Sequence, residues 1–208
     1  MKLQVAIDRK SLAETTKLVQ LLDGKADIIE FGTSLVKDFG MQSLQKISNK
    51  IKESQILYDI KTYDEGAYEF ESGFNYGADY LTVIGSASEK TIALCNDQTS
   101  NKKKMMIDLT DVPAVQVAKI AGYSQAIYLI HHNNDSSTKQ DLIQMVEQFH
   151  QNHPNIENLA IAGGIDLKAA QKLCQQELVD IIVVGGAITQ AVAPLNELQK
   201  FIRVIKGH

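Results

Sequence analysis

The sequence predicts a single parallel α/β barrel of the (β/α)₈ kind, on three observations. Short apolar runs alternate with longer amphipathic stretches along the whole chain. The runs are near-continuous in apolar residues, with Asp180-Ile181-Ile182-Val183-Val184 the clearest case, as a sheet covered on both faces requires. Strand followed by helix recurs eight times in 208 residues, which suits eight compact βαβ units with few insertions. Pattern alone leaves an open doubly wound sheet as the structural alternative.

Taken in order, the expected strands fall at 3–7, 28–31, 56–59, 80–84, 104–108, 126–130, 158–161 and 181–184. Helical patterns fill the intervals at 12–22, 35–51, 66–76, 89–97, 115–121, 139–150, 167–174 and 195–205. Gly77-Ala78 and Ala121-Gly122 suit helix C-caps before the next strand. No linker or low-complexity stretch interrupts the pattern, so residues 1–208 are expected to form one catalytic domain.

Composition is that of an ordinary globular protein, with 44% hydrophobic and 22% charged residues. A net charge of −4 points to neither a nucleic-acid partner nor a membrane surface. The one basic run, Lys102-Lys103-Lys104, reads as a solvated lead-in to a strand. Cys95 and Cys174 lie in different helical segments without metal-like spacing, so reduced thiols and a cytoplasmic location are expected. The N-terminus enters a strand at once, without a signal-peptide core, and no apolar stretch is long enough to span a bilayer.

In a barrel of this kind, reactive groups collect at the C-terminal ends of the strands. Those ends carry Asp8, then Glu30 followed by Gly32-Thr33, then Asp59 and Lys61. Later strands end in Asp108, in His131 and His132, in Ala162-Gly163-Gly164 and in Gly185-Gly186-Ala187. Strand alternation would place Asp59 and Lys61 on one face, about 7 Å apart at ~3.3 Å per residue. Asp64 follows in a loop or first helical turn. The pairs Gly163-Gly164 and Gly185-Gly186 each follow a strand and precede a helix. There, backbone N–H groups can approach an anion, and a phosphate monoester on a small substrate is the expected ligand. Glu30 and Asp59 suit a hard divalent cation completed by water and substrate oxygens. A closed ion network of both acids with Lys61 is the competing reading of the same residues. Histidine is the side chain most often used for proton transfer, and His131 is the natural proton-transfer group.

The run Asp59-Ile60-Lys61-Thr62-Tyr63-Asp64-Glu65-Gly66-Ala67-Tyr68-Glu69 resembles the orotidine-monophosphate decarboxylase superfamily, and most closely its 3-hexulose-6-phosphate synthase branch. The likeness extends from residue 3 to residue 189. It implies Mg²⁺ on Glu30 and Asp59, with Lys61 stabilising an enediolate on the sugar phosphate. It also implies Asp8 on a sugar hydroxyl, and a homodimer in which Asp64 completes the neighbouring active site. The implied reaction condenses formaldehyde with D-ribulose 5-phosphate to D-arabino-hex-3-ulose 6-phosphate. Gly185-Gly186-Ala187-Ile188-Thr189 matches the synthase pattern, whereas the related 3-keto-L-gulonate-6-phosphate decarboxylases usually carry Arg where this chain has Gly186. Such a decarboxylase is the alternative enzyme, and a non-catalytic sugar-phosphate-binding protein is the alternative of another class. One departure stands out. The synthases usually read His-Thr-Gly-x-Asp after the sixth strand, and this chain reads His131-His132-Asn133-Asn134-Asp135.

Overall fold

A computed structural model describes residues 1–131 and 141–207. The expectations placed on His132, Asn133, Asn134 and Asp135 lie outside the described residues. Eight strands close in sequence order into one barrel, every neighbouring pair parallel, which removes the open-sheet alternative. They are β1 (Lys2–Ile7), β2 (Ile28–Phe31), β3 (Gln55–Thr62), β4 (Tyr80–Ile84), β5 (Lys104–Asp108), β6 (Ile127–His131), β7 (Leu159–Ala162) and β8 (Ile181–Val184). The helices are α1 (Leu12–Leu22), α2 (Thr33–Ser48), α3 (Gly66–Asn75), α4 (Glu89–Asp97), α5 (Ala114–Ile120), α6 (Leu142–Asn152), α7 (Leu167–Gln176), α8 (Gly186–Thr189) and α9 (Pro194–Lys206).

Two apolar layers follow from the strand pleat. Side chains such as Ala6, Ile28, Leu57, Met106, Leu129 and Val183 pack inside the barrel, while Val5, Ile29, Tyr58, Ile107 and Ile182 pack outward beneath the helices. β2 is buried at every position, so Glu30 enters the interior between apolar neighbours. At the opposite end of the barrel, Asp27, Asp79 and Asp180 each accept an N–H from the first or second residue of a neighbouring strand, Leu3, Ile56 and Leu159, at 2.9–3.0 Å. Helix starts are capped in the same economical way. Ser11 and Glu14 form a reciprocal capping box on α1, and Ser88 and Asp166 cap α4 and α7.

Three local features depart from the sequence pattern. The expected helix over 35–51 begins earlier, at Thr33, and is broken at Gly40, whose φ of 71° and ψ of 155° no helix contains. β3 runs on to Thr62 with a register shift between Tyr58 and Thr62, and Lys61 there has a positive φ of 49°. α8, a single turn after β8, has no counterpart in the pattern because four residues carry no readable helical period.

Candidate active site

The C-terminal mouth of the barrel opens on a cavity of about 700 Å³. Asp8, Glu30, Asp59, Lys61, His131, Gly163, Gly164, Gly185 and Gly186 all line it. Of the sequence-derived site residues, Asp64 alone stays outside: it is exposed in the loop before α3, and its carboxylate accepts the N–H of Glu65 at 2.8 Å.

Lys61 reaches the cavity through the β3 bulge, not through simple strand alternation. Its N–H turns to Thr82 Oγ1 at 2.9 Å, and that hydroxyl in turn donates to Asp59 Oδ1 at 2.7 Å. One threonine on β4 therefore holds both the bulge and the acid. The Lys61 ammonium lies 3.3 Å from Asp59 Oδ2 and donates to Asp108 Oδ2. Burial opposes the ammonium form, but Asp59 and Asp108 outweigh it and hold Lys61 above its ordinary range.

Asp108 is the functional residue that strand-end reading left without a role. Fully buried, it also accepts the N–H and hydroxyl of Thr110 at 2.8 Å and 2.5 Å. Burial alone would raise its pKa; His131, Lys61 and Thr110 reverse that and keep it ionised well below the usual carboxylate range. His131 Nδ1 stands 3.5 Å from Asp108 Oδ2 and has no closer polar partner among the described residues. Lys61, Asp108 and His131 thus form one polar chain across β3, β5 and β6.

Glu30 differs. Its Oε2 accepts from Gln4 Nε2 at 2.6 Å, and no ammonium among the described residues comes within 4.0 Å of it. Burial first, then repulsion from Asp59, raise its pKa to about 8. This corrects the closed ion network as a reading of these residues: Asp59 pairs with Lys61, but Glu30 does not, because Asp108 takes the second place on the ammonium. Two neighbouring carboxylates, one of them uncompensated, fit a divalent cation. Among the described residues no three acidic, histidine or cysteine side chains converge on one cation position. A metal would accordingly be held by Glu30 and Asp59 as a pair, with water and substrate oxygens completing its shell.

Asp8 accepts from Ser34 Oγ at 2.8 Å, and its carboxylate lies directly over Gly32. A Cβ at residue 32 would come within 2.3 Å of Asp8 Oδ1. Gly32→Ala is therefore expected to displace Asp8 and lower kcat/KM by about 10- to 100-fold, a 1 Å misplacement of a positioning group being worth that order. An unchanged kcat/KM in that variant would show that Asp8 does not touch substrate.

At the opposite wall Gly163 and Gly164 turn with positive φ of 107° and 61°, a conformation that favours glycine. After β8 the turn bonds of α8 begin with Ile188 N–H on Gly185 O, leaving the N–H groups of Gly186 and Ala187 without an intrahelical acceptor. A short extra helix at this place is the usual phosphate cradle of the fold. The α7 terminus contributes less than its position suggests, since Asp166 already occupies it by accepting Ala169 N–H at 2.7 Å.

Residues 1–201 match the family described as orotidine 5'-phosphate decarboxylase / HUMPS. The chain belongs to that family. Among the family's curated members, 3-hexulose-6-phosphate synthase of Bacillus subtilis (strain 168) is 29% identical, with 99% of each chain covered. That of Staphylococcus epidermidis (strain RP62A) is 28% identical, with both chains covered in full. The solved 3-hexulose-6-phosphate synthase from Salmonella typhimurium superposes with a TM-score of 0.89 at 28% identity, over the whole of both chains. The resemblance read from the Asp59–Glu69 run is thus borne out, and the full-length likeness supports an enzyme that is such a synthase or a related lyase of this superfamily. No described helix is long and apolar enough to cross a membrane.

Proposed function

We propose that the protein is an aldol-type lyase that joins formaldehyde to D-ribulose 5-phosphate, giving D-arabino-hex-3-ulose 6-phosphate. One observation carries this: the acid–lysine group and both glycine pairs line the same cavity, about 700 Å³ in volume, so a small sugar phosphate can meet both at once. The phosphate seats against the N–H groups after β7 and β8, which sets the carbonyl end toward Lys61. A proton leaves carbon 1 of the pentulose, and the electron pair of that C–H bond becomes the enediolate. Lys61 stabilises the negative charge that develops on oxygen, in advance of which it is already fixed by Asp59 and Asp108. His131, its Nδ1 turned to Asp108, moves protons at the cavity wall. Carbon 1 then bonds to the formaldehyde carbon, and the former carbonyl oxygen of formaldehyde takes up a proton. Mg²⁺, held by Glu30 and Asp59, would supply fixed positive charge beside the reacting oxygens.

A homodimer belongs to this proposal. Asp64 cannot serve its own cavity, and the exposed Tyr63 and Tyr68 beside it offer an apolar face through which it could reach a partner's.

Purified protein with Mg²⁺ is expected to consume formaldehyde only when D-ribulose 5-phosphate is present. A 3-keto-L-gulonate 6-phosphate decarboxylase reaction, assayed alongside, should run far more slowly. Release of CO₂ from that substrate with no loss of formaldehyde would replace the synthase with the decarboxylase. Binding of pentulose phosphate without turnover would leave only a sensor.

A further inference from the structure

We propose that Arg9 is the residue through which this cavity selects phosphorylated over unphosphorylated sugars, by pairing its guanidinium with the substrate's phosphate. The inference rests on the sugar-phosphate reading of the cavity and deepens it.

Charge first demands such a group. Asp8, Asp59 and Asp166 line the cavity, and Asp108 lies just behind Lys61. A phosphate dianion entering this surround meets net negative charge. Lys61 cannot offset that at the phosphate end, because both Asp59 and Asp108 hold it on the far side of the mouth. Backbone N–H groups after β7 and β8 supply hydrogen bonds but no full charge. Among the lining residues, Arg9 is the one remaining side chain with a permanent positive charge.

Topology then puts it in the right place. Arg9 follows β1 directly, β1 pairs with β8, and α8, whose first N–H groups have no intrahelical acceptor, starts at the neighbouring strand end. The side chain is exposed, and it forms no ion pair among the described residues.

Backbone geometry adds a third, independent sign. Arg9 has a φ of 50°, a left-handed conformation that costs a non-glycine residue roughly 1 kcal/mol or more. A short relay holds it there: Arg9 N–H donates to Ser34 Oγ at 2.7 Å, and Ser34 donates to Asp8 at 2.8 Å. The turn that aims Asp8 at the sugar therefore also fixes Arg9 at the rim next to α8. An arginine kept solely for solubility would need no such turn.

Arg9→Asn removes the charge with a residue that tolerates left-handed backbone, and Arg9→Lys keeps the charge without the planar fork. Titration calorimetry with inorganic phosphate is expected to give an affinity at least about 10-fold weaker for Arg9→Asn than for the unaltered protein, with Arg9→Lys between them. In the formaldehyde assay, KM for D-ribulose 5-phosphate should rise by about 10- to 100-fold in Arg9→Asn while kcat changes much less, since a remote phosphate contact acts mainly on binding. Thermal midpoints within a few degrees of one another would exclude misfolding. Equal phosphate affinity in the unaltered protein and Arg9→Asn overturns the proposal, as does a fall in kcat at constant KM. The calorimetry stands by itself: if no turnover is found with any substrate, the synthase assignment fails while the phosphate titration still decides the role of Arg9.

Discussion

Lys61→Ala is expected to reduce kcat/KM for the condensation by at least about 10³-fold, the scale associated with losing one fixed charge or donor at a developing oxyanion. The loss should fall on kcat, because the ammonium is tied to Asp59 and Asp108 rather than to the phosphate. The same substitution leaves two buried carboxylates facing each other without their cation. Breaking a buried pair in this way destabilises by roughly 3–5 kcal/mol, so the variant should also melt earlier. Its pH dependence has a definite sign. Asp108 is held below its ordinary pKa in the intact protein, so its contribution to stability is present above the unfolded carboxylate range and lost as pH falls. The stability gap between the intact protein and Lys61→Ala should therefore be full at pH 7, persist down to the ordinary carboxylate range, and shrink only as pH falls below it. No stability gap at pH 7, or unaltered turnover, would remove Lys61 from the role assigned to it.

Glu30→Gln is expected to do the opposite to stability while also ending catalysis. In the folded protein without metal the Glu30 carboxyl titrates at about 8, against 4.5 for an ordinary glutamate. An acid whose pKa is raised by folding opposes folding at every pH above its unfolded value, and the penalty grows until the folded pKa is reached. Between pH 5 and pH 8 the metal-free protein should lose stability, by an amount on the order of 3 kcal/mol before relaxation is allowed for. Glu30→Gln should lack that slope and be the more stable protein at pH 7 in the presence of chelator. Added Mg²⁺ should reverse the order, raising the melting temperature of the intact protein and leaving that of the variant unchanged. A Mg²⁺ response that survives in Glu30→Gln would move the metal elsewhere. Function here is sustained against stability, in the sense that a buried, unpaired carboxylate is useful only when a cation joins it.

The physical reasons for what could and could not be read from the residues differ by element. β2, β4, β5 and β8 begin and end where their apolar runs do, because strands covered on both faces have little freedom of composition. The acids and glycines at their ends were legible for the same reason: a charge or a glycine closing such a run stands out. The break at Gly40 was not, since glycine inside an amphipathic stretch can be tolerated without a kink. Lys61 was identified as a site residue on a geometric ground that the bulge replaces, for no local signal marks a register shift when its satisfying partner, Thr82, sits on the next strand. The place of Asp108 required closure of the barrel, which sets it against residues 47 and 23 positions away in sequence. Arg9 gave no sign at all, because one exposed arginine after a strand is ordinary until the turn that strains it is seen.

The central claim is that this cavity makes an enediolate from a pentulose phosphate. Proton NMR of D-ribulose 5-phosphate in deuterium oxide, with protein and Mg²⁺ but no formaldehyde, tests it without any assumption about the electrophile. The carbon 1 proton signal should lose intensity as deuterium enters, at a rate that collapses in Lys61→Ala and on adding chelator. Saturation of the protein with the sugar phosphate while carbon 1 keeps all its protons would contradict the claim.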